Sequence, residues 1–200
     1  MAHIITIGRE FGSGGREVGR RLAEALGYAY YDNEILNEIA KRSELSVQYV
    51  QNVLEQRPLP LLPIHTGQSF YPGVVQDPSQ KVYATQTEII KELASKGDCV
   101  IVGRCADYIL KEIKPFRLFI YASEEAKLVR TKARNKDASL DDKQILKSMK
   151  KIDKDRSKYY TFYTGQTWGD RNNYDLMINT TNQDIKALSK MLADLIKSYE

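Results

Sequence analysis

Hydrophobic and polar positions divide the chain into short apolar runs and longer amphipathic stretches. A short run rich in β-branched and aromatic residues is typical of a buried strand. Five such runs are present, at 3–8, 28–31, 99–103, 117–121 and 175–179. The stretches between them have helical periodicity, and strands that alternate with helices predict a three-layer α/β fold with a mostly parallel sheet.

The helical stretches carry start and stop signals. In the first stretch, Val18, Leu22 and Leu26 lie on one face, and Gly27 is a typical residue just past the end of a helix. Ser46 and Ser123 stand where an N-cap is expected. The remaining predicted helices span 33–42, 47–56, about 82–97, 123–135, 139–160 and 184–199.

Segment 57–80 interrupts this alternation. It holds five of the six prolines, at positions 58, 60, 63, 72 and 78, together with Gly67 and Gly73. A long stretch without a regular pattern is usually a lid or a binding loop, or else it is disordered. Both interpretations remain open from the pattern alone.

Length and composition favour one globular domain, residues 1–200. The chain has 200 residues, of which 42% are hydrophobic and 28% charged, so it can bury a core without disulfides or a structural metal. Its two cysteines lack zinc-ligand spacing, and with only two histidines we expect no protein-bound metal site. No apolar run approaches the roughly 20 residues that span a bilayer, and no signal peptide follows Met1. We therefore expect a cytoplasmic protein without membrane contact.

Positive charge is concentrated in one part of the chain. The net charge is +4, yet residues 127–158 alone hold 12 basic and 5 acidic side chains. Such a local excess favours a local anionic ligand over a surface that coats nucleic acid, and no nucleic-acid-binding motif accompanies it. The alternative is a solvated helical face without a ligand.

A glycine-rich turn, residues 8–15, joins the first predicted strand to the first helix. In this setting backbone N–H groups and the helix dipole bind phosphate. The residues expected to cradle a phosphate are Gly12, Ser13, Gly14, Gly15 and Arg16. The spacing is nearly that of a P-loop, but Gly15 stands where the phosphate-binding lysine is expected. Arg16 or Arg9 would have to supply the missing cation, unless the turn binds no ligand.

Seven segments of the chain carry a family signature. They are ITIGREFGSGGR at 5–16, LGYAYYD at 26–32, VIVGRCADYIL at 100–110, FIYA at 119–122, IDKDR at 152–156, YYTFYTGQTWG at 159–169 and YDLMINT at 174–180. In order and over nearly the whole chain, they resemble the cytidylate kinase-like family, a branch of the P-loop nucleoside monophosphate kinases.

The resemblance implies a P-loop NTPase fold whose five-stranded parallel sheet has the order 2-3-1-4-5. It also implies an acceptor-binding excursion and a mobile helical lid. Segment 57–80 would be the excursion, and the basic segment 127–158 would be the lid.

The resemblance further implies roles for several charged residues. Arg104 matches the arginine of a glycine–arginine pair that contacts the acceptor nucleotide, and it follows a buried strand at the ligand edge of the sheet; the alternative is a surface ion pair. Asp32, which also ends a strand, would support the acceptor site or would hold magnesium through water; the alternative is that it caps the following helix. Arg130 and Arg156 resemble lid arginines that close over the donor phosphates, and Arg16 is the third catalytic candidate.

Three positions bear on the identity of the substrate. Cys105 stands where cytidylate kinases have an aspartate that helps to read cytosine, and Asp107 is the candidate to replace it. Glu38 stands where those enzymes have an arginine that contacts the acceptor phosphate. An aromatic group near the end of the chain either packs or stacks a base, and packing is the more common role; it consists of Tyr159, Tyr160, Phe162, Tyr163 and Trp168.

These features lead to the hypothesis of an ATP-dependent nucleoside monophosphate kinase, most like one that converts CMP or dCMP to the diphosphate. ATP would lie on residues 12–16, and Mg²⁺ would be held by phosphates and water, with Ser13 as a candidate ligand. The nucleoside monophosphate would lie against Arg104 and segment 57–80. The alternative hypothesis is a non-catalytic protein that binds a nucleotide or phosphate on the same fold. The sequence does not determine the oligomeric state.

Overall fold

The structure is a computed structural model that describes residues 3–55, 78–134 and 141–198. Five strands form one sheet: β1 (Ile4–Arg9), β2 (Ala29–Tyr31), β3 (Cys99–Val102), β4 (Phe116–Tyr121) and β5 (Leu176–Asn179). Every pairing is parallel, and the spatial order is β2-β3-β1-β4-β5. The sheet order implied by the family resemblance is therefore confirmed.

The central strand β1 explains why the apolar runs predicted strands. It pairs with β3 on one side and with β4 on the other, and its first four residues are buried. A strand covered on both faces must be apolar at successive positions, and parallel sheets are built in this way. Ile4 accordingly packs on one face of the sheet, whereas Ile5 and Ile7 pack on the other.

Eight helices cover the two faces of the sheet within the described residues. They are α1 (Gly15–Leu26), α2 (Asn33–Ser43), α3 (Val47–Glu55), α4 (Pro78–Ser95), α5 (Ala106–Ile109), α6 (Glu124–Arg134), α7 (Asp142–Thr164) and α8 (Ile185–Lys197). Helices α1 and α8 pack over Ile5, Ile7 and Val100, whereas α2, α3, α4, α5 and α7 form the core on the opposite face. The three layers expected from the pattern are thus present.

Helix boundaries follow the predicted signals at several points and differ at others. Ser46 and Ser123 accept hydrogen bonds from the backbone N–H groups of Tyr49 and Ala126, at 3.2 and 3.3 Å, as N-caps should. Helix α7 begins after a capping box at Asp141 and ends at Gly165, which has a left-handed φ of 69°. It therefore starts and ends later than the predicted span 139–160, because its own caps, and not the hydrophobic spacing, set its limits.

Two predicted regions lie partly outside the described residues. The excursion 57–80 is described only from Pro78 onward, where α4 begins, and the basic segment 127–158 is described in α6 and α7 but not over 135–140. Two short 3₁₀ helices, Lys111–Ile113 and Arg171–Asn173, were not predicted from the pattern. Within the described ranges, none of the helices is both long enough and apolar enough to cross a membrane.

Candidate functional site

The carboxyl ends of β1 and β3 lie side by side and open into a cleft. In open parallel sheets, ligands bind at this edge, where the chain connections turn to opposite sides of the sheet. β1 leads into the glycine turn and then α1, and β3 leads into Gly103 and Arg104. The two predicted binding features therefore belong to neighbouring strands.

The glycine turn presents the amino end of α1 without a side-chain cap. Gly12 and Gly14 have φ values of 75° and 84°, in the left-handed region that favours glycine, and Gly14 occupies the N-cap position. Because Gly14 has no side chain to accept a hydrogen bond, the first N–H groups of α1 are left for another acceptor. An anion is the natural acceptor at this end of a helix.

Ser13 stabilises the glycine turn through hydrogen bonds. Its side chain is fully buried, and its Oγ donates a 2.8 Å hydrogen bond to the carbonyl oxygen of Glu10. The backbone oxygen of Ser13 in turn accepts a 2.6 Å hydrogen bond from Oγ1 of Thr180. These contacts hold the turn in shape, and they direct the Ser13 hydroxyl to the backbone.

Helices α6 and α7 clamp the turn through a buried group of charges. Asp153 accepts a 2.7 Å hydrogen bond from the backbone N–H of Phe11. Lys127 lies 3.0 Å from Glu10 Oε2 and 3.4 Å from Asp153 Oδ2. Burial lowers the pKa of Lys127, but Glu10 and Asp153 more than offset it, so the pKa is raised and the ammonium stays charged. The described part of the basic segment is thus joined to the turn by the Lys127–Glu10 ion pair and the Asp153–Phe11 hydrogen bond.

The two predicted lid arginines occupy different places. Arg130 donates a 3.4 Å hydrogen bond to the carbonyl oxygen of Ser13 and a 3.0 Å hydrogen bond to Oγ1 of Thr180, and it also bonds the Thr180 carbonyl oxygen. Arg156 donates to the carbonyl oxygen of Arg9 at 3.3 Å and lies over the ring of Phe11, 5.8 Å from its centroid. Arg130 therefore braces the turn, whereas Arg156 lies beside the strand end where the ligand edge opens.

Arg16 is turned toward the end of β2. Its Nε lies 2.8 Å from Asp32 Oδ2, and its Nη2 lies 3.3 Å from the side-chain oxygen of Asn33. Asp32 is buried, with 6% of its side chain exposed, and it makes no capping hydrogen bond to α2 although it occupies the N-cap position. The side chain of Asp32 thus orients Arg16, which is 53% exposed, in place of capping the helix.

Arg104 lies in an unusual backbone turn. Gly103, Arg104 and Cys105 have φ values of 75°, 58° and 53°, three left-handed residues in succession. A left-handed non-glycine residue costs on the order of 1–3 kcal/mol, and such residues cluster at functional sites. The turn is fixed by Gln86, a fully buried residue of α4 whose Nε2 donates a 3.0 Å hydrogen bond to the carbonyl oxygen of Arg104. Gln86 Oε1 accepts from the Tyr159 hydroxyl at 3.4 Å.

Asp107 lines the same cleft as Arg104, at the carboxyl ends of β1 and β3. Its carboxylate accepts a 2.6 Å hydrogen bond from the Tyr160 hydroxyl. Burial raises the pKa of Asp107, and the Tyr160 hydrogen bond counters part of that effect. Tyr159 and Tyr160 are themselves buried, and Trp168 stacks edge-on against Phe119 with ring centroids 5.3 Å apart. These contacts favour packing over base stacking for this part of the aromatic group.

Two adjoining clefts result, and they share three arginines. The first extends from β1 to β3 and is lined by Gly8, Arg9, Arg16, Leu54, Gly103, Arg104, Cys105, Asp107, Arg156, Tyr159, Tyr160, Trp168 and Tyr174. The second covers the glycine turn and is lined by Arg9, Glu10, Phe11, Gly12, Gly14, Gly15, Arg16, Arg134 and Arg156. Arg9, Arg16 and Arg156 line both, so three guanidinium groups lie where the clefts meet.

The pKa of Arg9 reflects this crowding of arginines. The pKa of Arg9 is lowered to about 9, chiefly by burial and further by the nearby Arg156, Arg104 and Arg16, and one carboxylate, Asp32, acts in the opposite direction. A guanidinium normally keeps its proton at any pH a protein meets. A site that destabilises a buried guanidinium group in this way is organised to receive an anion, and planar guanidinium groups match phosphate in particular.

Sequence reasoning identified most of these residues but did not identify the partners that hold them. Asp153 and Thr180 lie in the family segments 152–156 and 174–180, and Gln86 lies in none of those segments. No local pattern pointed to the contacts of these residues with Phe11, Ser13 and Arg104, which lie 18 or more positions away along the chain. No group of three or more His, Cys, Asp or Glu side chains in the described part of the chain is arranged to hold a metal ion.

An open parallel sheet of this order, with a glycine turn after its first strand and arginine-lined clefts at the strand ends, defines the P-loop NTPase fold. Solved structures share this architecture. A shikimate kinase from Acinetobacter baumannii in complex with shikimate matches with a TM-score of 0.54 and 20% identity, covering 100% of this chain and 95% of that one. A shikimate kinase from Bacteroides thetaiotaomicron matches with a TM-score of 0.59 and 14% identity, covering 98% and 99%. At these identities the likeness shows the fold alone.

Comparison with family models and with curated proteins identifies the protein more specifically than its fold does. The chain belongs to the cytidylate kinase-like family, whose model matches residues 4–182. A cytidylate kinase from Thermoplasma acidophilum is 27% identical over 179 residues, which cover 88% of this chain and 82% of that protein. An uncharacterized protein from Eubacterium ventriosum has a TM-score of 0.72 and 31% identity, covering 98% of this chain and 99% of that chain. Family and fold together support a nucleotide-binding phosphotransferase.

Proposed function

We propose that the protein transfers the terminal phosphoryl group of ATP to a nucleoside monophosphate, most like CMP or dCMP. The observation that carries the proposal is the pair of adjoining clefts that share Arg9, Arg16 and Arg156. A transferase needs a donor site and an acceptor site that meet at the migrating group, and phosphoryl transfer needs positive charge at that meeting point.

The cleft over the glycine turn suits the donor. The uncapped amino end of α1 and the left-handed Gly12 and Gly14 allow triphosphate oxygens to approach backbone N–H groups. Arg156 would reach the outer phosphates from α7. Arg130 acts differently in this proposal, because its contacts with Ser13 and Thr180 make it a positioning residue for the turn.

Mg²⁺ would be held chiefly by the phosphates of ATP and by water. The Ser13 hydroxyl donates to the Glu10 carbonyl oxygen, and the Asp32 carboxylate is bonded to Arg16, so the nearest protein oxygens are already engaged. When bound, the ion would neutralise phosphate charge and orient the triphosphate. The residues of this chain then bind and orient the two substrates.

The cleft between β1 and β3 suits the acceptor. Arg104 and Arg16 both line it, and Asp32 holds Arg16 through an ion pair. The phosphate of a nucleoside monophosphate is already nucleophilic, so no general base is required. The work of the site is to place that phosphate in line with the donor and to exclude water.

Asp107 is the residue proposed to select the base. A carboxylate accepts hydrogen bonds from an exocyclic amino group, which cytosine has and uracil lacks. Asp107 lines the acceptor cleft, and Tyr160 fixes its carboxylate through a 2.6 Å hydrogen bond. Glu38, by contrast, pairs with Arg42 on the exposed side of α2 at 2.7 Å.

A second candidate function is binding of a nucleotide without turnover. The observation in its favour is Gly15, since a P-loop kinase has a lysine at that position. A coupled assay for diphosphate formation separates the two functions when it is run with ATP and, in turn, CMP, dCMP, UMP, AMP and GMP. Turnover that is fastest with CMP or dCMP supports the proposal. Saturable ATP binding without diphosphate from any acceptor supports the second candidate.

A further inference from the structure

Three positions of the glycine turn depart from the P-loop pattern together. When G-x-x-x-x-G-K-[ST] is aligned on Gly14 as its second glycine, Arg9 replaces the first glycine and Gly15 replaces the lysine. Arg16 then replaces the Ser or Thr. The pattern has therefore lost a cation at its seventh position and gained one at its first and one at its eighth.

The structure connects the first two of these changes. A Cβ atom at position 15 would lie 2.5 Å from Arg9 Cβ and 3.1 Å from Arg9 Cγ. Real Cβ atoms do not approach other atoms so closely, so any side chain at position 15 would displace Arg9. Glycine is required at position 15 because the Cβ and Cγ atoms of Arg9 occupy the space that the first side-chain atoms of a lysine would need.

A second glycine completes this channel. A Cβ atom at Gly103 would lie 1.9 Å from Arg9 Nη1 and 2.7 Å from Arg9 Cζ. The side chain of Arg9 therefore runs from the end of β1, past the first residue of α1, to the end of β3. Its guanidinium group lies where the donor and acceptor clefts meet.

The guanidinium group of Arg9 is held by packing. Its Nε is buried and has no hydrogen-bond partner in the described part of the chain. The one carboxylate among its charged neighbours, Asp32, is already bonded to Arg16 at 2.8 Å. The guanidinium group of Arg9 therefore keeps hydrogen-bonding capacity for an anion that enters the clefts.

Arg16 does not take this role. It follows Gly15 directly, but its side chain pairs with Asp32 and Asn33 on the acceptor side and is half exposed. Its Nε and Nη2 are engaged in those contacts, so most of its donor capacity is directed away from the turn.

We infer that Arg9 supplies, from the end of β1, the phosphate-binding cation that a P-loop kinase takes from the lysine of its turn. The inference rests on the proposed donor site and names the residue that holds the outer phosphates of a nucleoside triphosphate. Gly15 and Gly103 are then required as the walls of the channel through which Arg9 reaches those phosphates.

The test is a double-mutant cycle between positions 9 and 15, read as the dissociation constant of ATP with Mg²⁺ by calorimetry. Arg9→Gly is expected to weaken binding about tenfold or more, because a hydrogen-bonded charge is lost. Gly15→Ala is expected to weaken binding in the wild-type background, where it displaces Arg9, and to have little effect when Arg9 is already Gly. Arg20→Ala, an exposed arginine on α1 that pairs with Glu24, is the control for loss of one positive charge.

A variant that moves the cation from position 9 to position 15 makes the test stricter. The double variant Arg9→Gly/Gly15→Lys moves the cation back to the helix, and it is expected to bind ATP at least fivefold more tightly than Arg9→Gly alone. Circular dichroism of each variant verifies that it is folded, and Arg9→Lys is the milder substitution if Arg9→Gly does not fold.

The outcomes separate this inference from the proposed function. Coupling between positions 9 and 15 in ATP binding supports the inference even if no monophosphate is turned over, in which case only the kinase proposal fails. Additive effects of Arg9→Gly and Gly15→Ala, or ATP affinity in Arg9→Gly equal to that of Arg20→Ala, overturn the inference whether or not the wild type is a kinase.

Discussion

Gln86 Nε2 donates a 3.0 Å hydrogen bond to the carbonyl oxygen of Arg104 and so holds the strained turn at the end of β3. Gln86 is fully buried on α4, far from Arg104 in sequence, and its other amide atom is bonded to Tyr159. The cleft between β1 and β3, the proposed acceptor site, is therefore shaped from the core beneath it as well as by the residues that line it.

Replacing Gln86 should affect the acceptor and spare the donor. In Gln86→Leu the Arg104 carbonyl oxygen loses its buried partner, which costs on the order of 1–3 kcal/mol of stability. The KM for the monophosphate should rise at least fivefold, while the dissociation constant of ATP stays within twofold. Gln48→Leu, an exposed glutamine on α3, is the matched control. Equal loss of both affinities would show that Gln86 acts on the whole fold.

Arg104 itself should serve the acceptor. A hydrogen bond to a charged group is worth about 1.5–3 kcal/mol, so Arg104→Ala should weaken monophosphate binding roughly ten- to a hundredfold. The affinity for ATP should change far less, since Arg104 lines the β1–β3 cleft and not the cleft over the glycine turn. Calorimetric titration with each ligand measures both effects. A fall in ATP affinity with monophosphate binding intact would reverse the assignment of the clefts.

Arg130 and Arg156 should give different kinetic effects. Arg156→Ala should lower kcat, up to the order of 10³-fold known for arginines that stabilise transferred phosphate, with ATP binding within a few-fold. Arg130→Ala should instead lower the unfolding temperature and weaken ATP binding, because the turn loses its brace at Ser13 and Thr180. Steady-state kinetics and thermal unfolding of both variants, beside Arg20→Ala, provide the comparison. Identical behaviour of the two variants would contradict the separate placements.

Asp107 should make stability depend on pH. Burial raises its pKa in the folded state, so the folded protein binds the proton more tightly than the unfolded chain does, and stability is lost as pH rises through the folded-state pKa. Asp107→Asn removes this cost and can still accept the Tyr160 hydrogen bond. The variant should therefore unfold at a higher temperature than the wild type at pH 8, and the difference should shrink as pH falls toward 4.

The control for that series is Asp194→Asn, an exposed aspartate on α8. Its unfolding temperature should follow the wild type at every pH. A constant difference between Asp107→Asn and the wild type from pH 8 to pH 4 would mean that the charge of Asp107 is not the cause.

The layout of the fold could be predicted because it depends on local patterns. Five apolar runs and the helical stretches between them predict a parallel α/β sheet, and the family resemblance adds the strand order. The site could be predicted only in part. Position relative to a strand end pointed to Asp32 and Arg104, but the backbone of Arg104 and Cys105 is left-handed, which neither residue type suggests.

The remaining features depend on distant residues that meet only in the folded chain. Nothing near Arg9 in sequence shows that Gly103 leaves room for its guanidinium group. Arg130 and Arg156 look alike as basic residues of helices, yet Thr180 binds one and the Arg9 backbone binds the other. Such differences follow from tertiary packing, which overrides local pattern.

The direct measurement of the central claim is phosphorus NMR of ATP, Mg²⁺ and CMP with the purified protein. The two-cleft arrangement predicts that the γ-phosphate of ATP appears as the β-phosphate of CDP, with little inorganic phosphate, and that Arg156→Ala abolishes this transfer on the same time scale. ATP that remains intact with CMP, dCMP, UMP, AMP and GMP, or that yields only inorganic phosphate, would contradict the assignment of a donor cleft and an acceptor cleft.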